Sequence, residues 1–161
     1  MKYILRAIVI FHLLTISILS YAQNCNQYHI DNCRWADRTF LYSRQSRSAK
    51  FTPGMSSDFS ILVYGGEEYY ISIDGDRKLG DIRLRVLEDD EQRTQLYDNA
   101  EFKYEKFFYF KVSRTRKMIV EVTTEETDDP EESNKEYCVG VLIEFRDTGQ
   151  PTNKSGQDIG F

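Results

Sequence analysis

Three aspartates in a short turn are the first residues whose type and spacing could do chemistry. Asp74, Asp76 and Asp81 form D-G-D-x4-D between two apolar runs, and hard oxygen ligands held close together can take Ca²⁺. The run lacks the longer ligand series and closing glutamate of an EF-hand loop, so a plain turn competes with this reading. A second acidic run, Glu125 to Glu132 (EETDDPEE), can gather cations loosely or be a solvated hairpin loop containing Pro130. Adjacent carboxylates such as Glu67 with Glu68 and Asp89 with Asp90 could flank a glycosidic bond, although neighbouring acids in loops are normally solvated.

Nucleophilic chemistry has little to work with. His29 is the one histidine after the N-terminal leader, and it lies between Cys25 and Cys33. A Cys–His pair is the functional reading and a surface histidine in a cross-linked loop is the bland one. There is no G-x-S-x-G elbow, no phosphate-cradling G-x-x-x-x-G-K-[ST] and no H-E-x-x-H. A zinc site is not expected without a Cys-x-x-Cys pair. Tyr69, Tyr70, Tyr104 and Tyr109, with Phe107, crowd one half of the chain. On an open sheet face such tyrosines stack on sugars or meet a protein, whereas on a covered face they are packing.

The elements that must position these groups begin after a leader. Residues 1–22 carry Lys2 and Arg6, an apolar core from Ala7 to Leu19, and small residues at Ser20-Tyr21-Ala22, as a cleavable export signal does. That core is shorter than the roughly 20 residues a membrane span needs. The expected product is exported, in the periplasm or outside the cell, with no membrane insertion after cleavage. It begins at Gln23 with 19 Lys and Arg against 26 Asp and Glu, a net charge of −7. Eight of those acids lie between Glu121 and Glu136, so the excess is local and a nucleic-acid-binding basic face is not expected. Cys25, Cys33 and Cys138 in an oxidising compartment allow one bridge and leave one thiol; Cys25–Cys33, Cys25–Cys138 and Cys33–Cys138 all stay open.

Beyond an irregular segment 23–38 containing Trp35, short alternating runs predict strands. They cover Thr39–Ser43, Ser48–Thr52, Ser57–Tyr64, Glu68–Ile73, Asp81–Glu88, Arg93–Tyr97, Phe107–Ser113, Arg116–Thr124 and Tyr137–Arg146. In the last, Val139, Val141, Ile143 and Phe145 share one face while Cys138, Gly140 and Leu142 share the other, as in a strand buried on both sides. The expected fold is all-β: a jelly-roll-like sandwich of eight or nine short, mostly antiparallel strands over 39–146, with a polar tail at 147–161.

Tyr69-Tyr70-Ile71-Ser72-Ile73-Asp74, Ile82-Arg83-Leu84-Arg85-Val86-Leu87-Glu88-Asp89, Phe108-Tyr109-Phe110-Lys111-Val112 and Met118-Ile119-Val120-Glu121-Val122 resemble the core strands of bacterial pre-peptidase C-terminal domains. That resemblance implies a non-catalytic sandwich module of the kind appended to secreted peptidases and sometimes binding polymers or calcium. The whole chain, with its Tyr137-to-Glu144 strand and Gly-Phe ending, also resembles a group of small uncharacterised exported bacterial proteins, which implies no activity. The expected function is an exported, non-catalytic binding or accessory protein for an extracellular polymer, a glycan or an envelope protein, needing no cofactor beyond Ca²⁺ at the aspartates. A small secreted hydrolase using a carboxylate pair and a structural or secretion-accessory subunit are the alternatives.

Overall fold

The computed structural model describes residues 25–149; the expected leader and most of the polar tail lie outside the described residues. Nine strands form within that range: β1 (Leu41–Tyr42), β2 (Arg47–Phe51), β3 (Ser56–Val63), β4 (Glu67–Gly75), β5 (Ile82–Glu88), β6 (Gln95–Asp98), β7 (Phe107–Lys111), β8 (Arg116–Thr124) and β9 (Tyr137–Asp147). All pairings are antiparallel. One sheet runs β1-β9-β4-β7 with β2 also on β9, and the other runs β3-β8-β5-β6. This is an open β-sandwich.

Period-two patterning explains the core. On β5, Leu84 and Val86 point inward, while Arg83 and Arg85 reach Asp98 (Nε 3.1 Å) and Glu121 (Nε 2.8 Å) on the wet face. Ile61, Val63, Tyr69, Ile71, Met118, Val120, Val141 and Ile143 fill the space between the sheets. Two side-chain amides finish sheet edges. Gln45 accepts from the Leu62 N–H (2.7 Å) and donates to its C=O (2.9 Å) on β3, and Asn99 does the same for Leu84 (2.7 Å) and Ile82 (3.0 Å) on β5.

The N-terminal segment is where structure and sequence part. Expected only to be irregular, it forms from Cys25 onward a third layer over the outer face of the β1-β9-β4-β7 sheet. A short helix α1 (Tyr28–Asn32) follows Cys25, which is bridged to Cys138. The free thiol of buried Cys33 donates to Gly140 O (3.2 Å). The Arg34 carbonyl then accepts from Tyr70 Oη (2.9 Å) and Ser72 Oγ (2.8 Å), and Ala36 N–H donates to Glu144 Oε2 (2.8 Å). The segment thus tracks the outward residues 138, 140 and 144 of β9. Hydrogen bonds and one covalent bond hold it, and no hydrophobic repeat announces it.

Glu144 is almost fully buried on that face, and loss of solvation raises its pKa, with Asp37 nearby adding to the effect and Ala36 N–H opposing it. A carboxyl with a raised folded-state pKa binds its proton more tightly when folded. Stability therefore falls as pH rises through the window between the unfolded and folded values. Glu144→Gln keeps an acceptor for Ala36 without the charge. The variant is expected to melt higher than the parent at pH 7, with the gap closing below about pH 4, where glutamate is neutral in both states. Melting curves at the two pH values check this; a lower melting point at pH 7 means the carboxylate is needed as a charge.

Candidate functional site

Three connections meet at one end of the sandwich. The β4–β5 connection contains a 3-10 turn (Arg77–Leu79) whose first N–H groups need a cap, and Asp76 supplies it by accepting from Lys78 N (3.0 Å). Gly80 follows at φ 64°, lying so close to Glu125 that a Cβ would sit 2.2 Å from its carboxylate. Asp81 N–H donates to that same Glu125 Oε2 (3.2 Å). The cause is sheet register: Ile82 of β5 pairs with Thr124 of β8, which brings Asp81 beside Glu125.

The β6–β7 connection runs through a 3-10 turn (Asn99–Phe102) into Lys103 and Tyr104, both in the left-handed region at φ 55° and 56°. Such residues cost on the order of 1 kcal/mol each and persist where surroundings dictate them. Here Tyr104 N–H is held by Asn99 O (2.9 Å), and Asn99 is itself locked between Leu84, Ile82 and Glu105. The third connection is the acidic loop between β8 and β9. Glu132 in it accepts from Lys135 (3.0 Å) and Tyr137 Oη, which hold its carboxyl down to about 2, and Lys78 approaches at 3.6 Å.

Together these loops enclose a cavity of about 390 Å³ with an apolar floor at Ile73 and Ile82 and walls at Asp74, Arg77, Asp81, Tyr104, Lys106 and Glu125. A second, more open depression of about 420 Å³ lies between the Arg77–Leu79 turn and the acidic loop, with Glu125 common to both. Lys106 pairs with Asp74. Among the described residues no basic side chain forms an ion pair with Asp81, Glu125, Glu126 or Asp128.

The sequence-derived sites fare unevenly. Asp74, Asp76 and Asp81 do stand at this end, but they face a lysine, a backbone N–H and the cavity respectively. No group of three or more His, Cys, Asp or Glu side chains converges to hold a metal among the described residues, so the calcium ligand set expected from the spacing is not assembled. Lys106, just before the neighbouring strand β7, supplies the cation for Asp74. Tyr69 and Tyr70 are not surface groups: at 1% and 0% exposure, one packs in the core on Phe110 and the other lies under the Arg34 segment. Tyr104 (38% exposed) and Tyr109 (47%) are accessible, but at different places, the cavity rim and the β7 edge.

His29 is buried rather than on the surface. Its ring meets Ser48 Oγ (2.6 Å) and Tyr42 Oη (3.1 Å), and desolvation lowers its pKa. Ser48 Oγ also accepts the His29 N–H (2.9 Å), so the pair fastens α1 to β2. No Cys–His pair forms, because Cys25 is in the bridge and burial pushes the Cys33 thiol up to about 12. The role of Glu125 was half legible. Its acidic run stands out in the sequence, while its meeting with the aspartate turn depends on β5 lying beside β8.

No family model matches the chain, and no curated protein matches it. Among solved structures it is similar to Aeromonas hydrophila PliG, a periplasmic lysozyme inhibitor of g-type lysozyme. The match has 8% sequence identity and a TM-score of 0.46, over 70% of this chain and 92% of that one.

Proposed function

We propose that the protein is an exported, non-catalytic binding protein, and that the three-loop end of the sandwich is its contact surface for a protein partner with exposed basic groups. The observation that carries this is charge placed without compensation. Asp81, Glu125, Glu126 and Asp128 surround a concave, partly apolar surface and have no ion-pair partner of their own among the described residues. A partner's lysine or arginine would find carboxylates ready to accept it and Tyr104 at the rim to stack on. Such complementarity mainly sets specificity and on-rate. The Cys25–Cys138 bridge supports passage through an oxidising compartment, in keeping with the leader-like N-terminus.

Immobilised residues 23–161, bridge intact, should retain a basic protein from an envelope extract of the source cells and release it as salt screens surface charges. The combined variant Glu125→Gln, Glu126→Gln, Asp128→Asn should retain at least about tenfold less, one tenfold step per 1.4 kcal/mol lost. Undiminished retention by the triple variant moves the contact surface elsewhere. Retention of polysaccharide alone replaces the protein partner with a polymer.

A further inference from the structure

We propose that the free edge of β7 is a pairing surface for a second copy of this chain, forming an antiparallel two-fold dimer centred on Tyr109. This edge stands apart from the three-loop end, and its pairing does not depend on the function proposed there.

β7 pairs with β4 alone and ends its sheet. Val112 N–H donates to Glu67 O (2.9 Å) and Ile73 N–H to Lys106 O (2.8 Å), which sets the phase of the ladder. Residues 106, 108, 110 and 112 bond inward to β4, so the N–H and C=O of Phe107, Tyr109 and Lys111 point away from the sheet. No backbone partner meets them among the described residues. Buried or not, such a row is a ready template for another strand.

The other edges are blunted. The amide of Gln45 closes β3 at Leu62, whose remaining outward positions are Ser56, Asp58 and Ser60. The second sheet ends on β6, which is only four residues long and carries a register shift against β5, and the amide of Asn99 closes β5 beyond its end. β1 and β2 share one edge as short pieces. Among the described residues β7 meets no side-chain plug, it holds no proline or bulge, and it presents two aromatic residues where β3 presents serines and a charge.

Self-complementarity selects the occupant. Phe107-Phe108-Tyr109-Phe110-Lys111, turned about Tyr109, places Tyr109 opposite Tyr109 of the second copy and Phe107 opposite its Lys111. Every outward N–H and C=O of the three residues is then used, and Phe108 stands across from Phe110 on the core side of one continuous sheet. Lysine on an edge normally discourages pairing. In this register Lys111 meets an aromatic ring and not another lysine, and Glu68 sits beside it on β4. Tyr109, nearly half exposed and already against Tyr70 and Phe40, gains a like aromatic neighbour. Five residues bury little area, so the dissociation constant should be on the order of 100 μM.

Sedimentation of residues 23–161 with the bridge intact, at about 5 to 500 μM, tests this. The expected result is a monomer–dimer equilibrium that Tyr109→Pro weakens at least about tenfold while Tyr109→Thr retains it. Proline removes the outward N–H without touching the bond to β4. Should the proline variant fail to fold, Tyr109→Cys decides: it should cross-link to itself under mild oxidation, whereas Ser60→Cys on the β3 edge should not. A monomer throughout the range, dimerisation unchanged by proline, or no cross-link in the Tyr109→Cys variant overturns the proposal. So does slow hydrogen exchange at Phe107, Tyr109 and Lys111 in a monomer, which would mean that another part of this chain covers the edge.

Discussion

Replacing Cys25 and Cys138 together with serine is expected to cost the fold about 4 kcal/mol and to lower the thermal midpoint by roughly 15 °C. The bridge closes 113 residues of sequence, nearly the whole sandwich, and loop-closure entropy removed from the unfolded chain grows with loop length. It also fastens the start of the third layer to β9, the strand that pairs with β1, β2 and β4. Either single serine variant should lose nearly as much as the double, since one covalent bond is at stake; the double variant is cleaner because Cys25 cannot then turn to Cys33. Cys33→Ser provides the contrast. A serine hydroxyl can still donate to the Gly140 carbonyl, so that change should cost under about 1 kcal/mol. Chemical unfolding of the parent and these variants checks the order, and a double-variant loss below about 1 kcal/mol would show that the third layer and sandwich hold together without the cross-link.

The sandwich itself was legible from alternation and turn residues, down to both edges of β8 (Arg116–Thr124) and the two-sided burial of β9. Strands announce themselves because one face must be apolar at every second position, and Gly65-Gly66 follows where the chain reverses, whereas β4 runs on through Asp74 and Gly75, two residues past the end expected at Ile73. What lay hidden was everything decided by the second face. Tyr69 and Tyr70 read alike in sequence, one inward and one outward, yet both are buried because residues 33 to 37 roof the outward one. Glu144 and Asn99 look like ordinary polar residues until their backbone partners are known. The choice among three bridges depended on the same roof, since only a segment lying along β9 brings Cys25 to Cys138. The acidic end was half visible. Its charges stand out in the sequence, but the pairing of Asp74 with Lys106, where calcium was expected, needed β4 beside β7.

The roof also predicts an unusually costly alanine. Gly140→Ala should destabilise the protein by about 2–3 kcal/mol and loosen the N-terminal layer before the sandwich melts. Gly140 has no left-handed backbone to explain it; the constraint is space. A Cβ there would stand 2.6 Å from His29 Cα and 2.7 Å from His29 N, which are helix backbone atoms with no torsion to escape by. Helix α1 must lift, and with it go the His29–Ser48 hydrogen bonds and the Cys33 S–H bond to Gly140 O. Gly75→Ala is the instructive comparison. Its new Cβ would meet Ile82 Cδ1 at 2.2 Å, the far end of a side chain that can rotate away, so a loss under about 1 kcal/mol is expected. Cys33 reports the difference. Buried and with its thiol pushed up to about 12, it should react slowly with a disulfide reagent in the parent and in Gly75→Ala. In Gly140→Ala the rate should rise at least about tenfold under conditions where far-ultraviolet circular dichroism still shows an intact sandwich, as expected when one layer opens below the global unfolding free energy. Equal rates in all three proteins would mean that the helix tolerates the methyl group and that Gly140 is not what lets it dock.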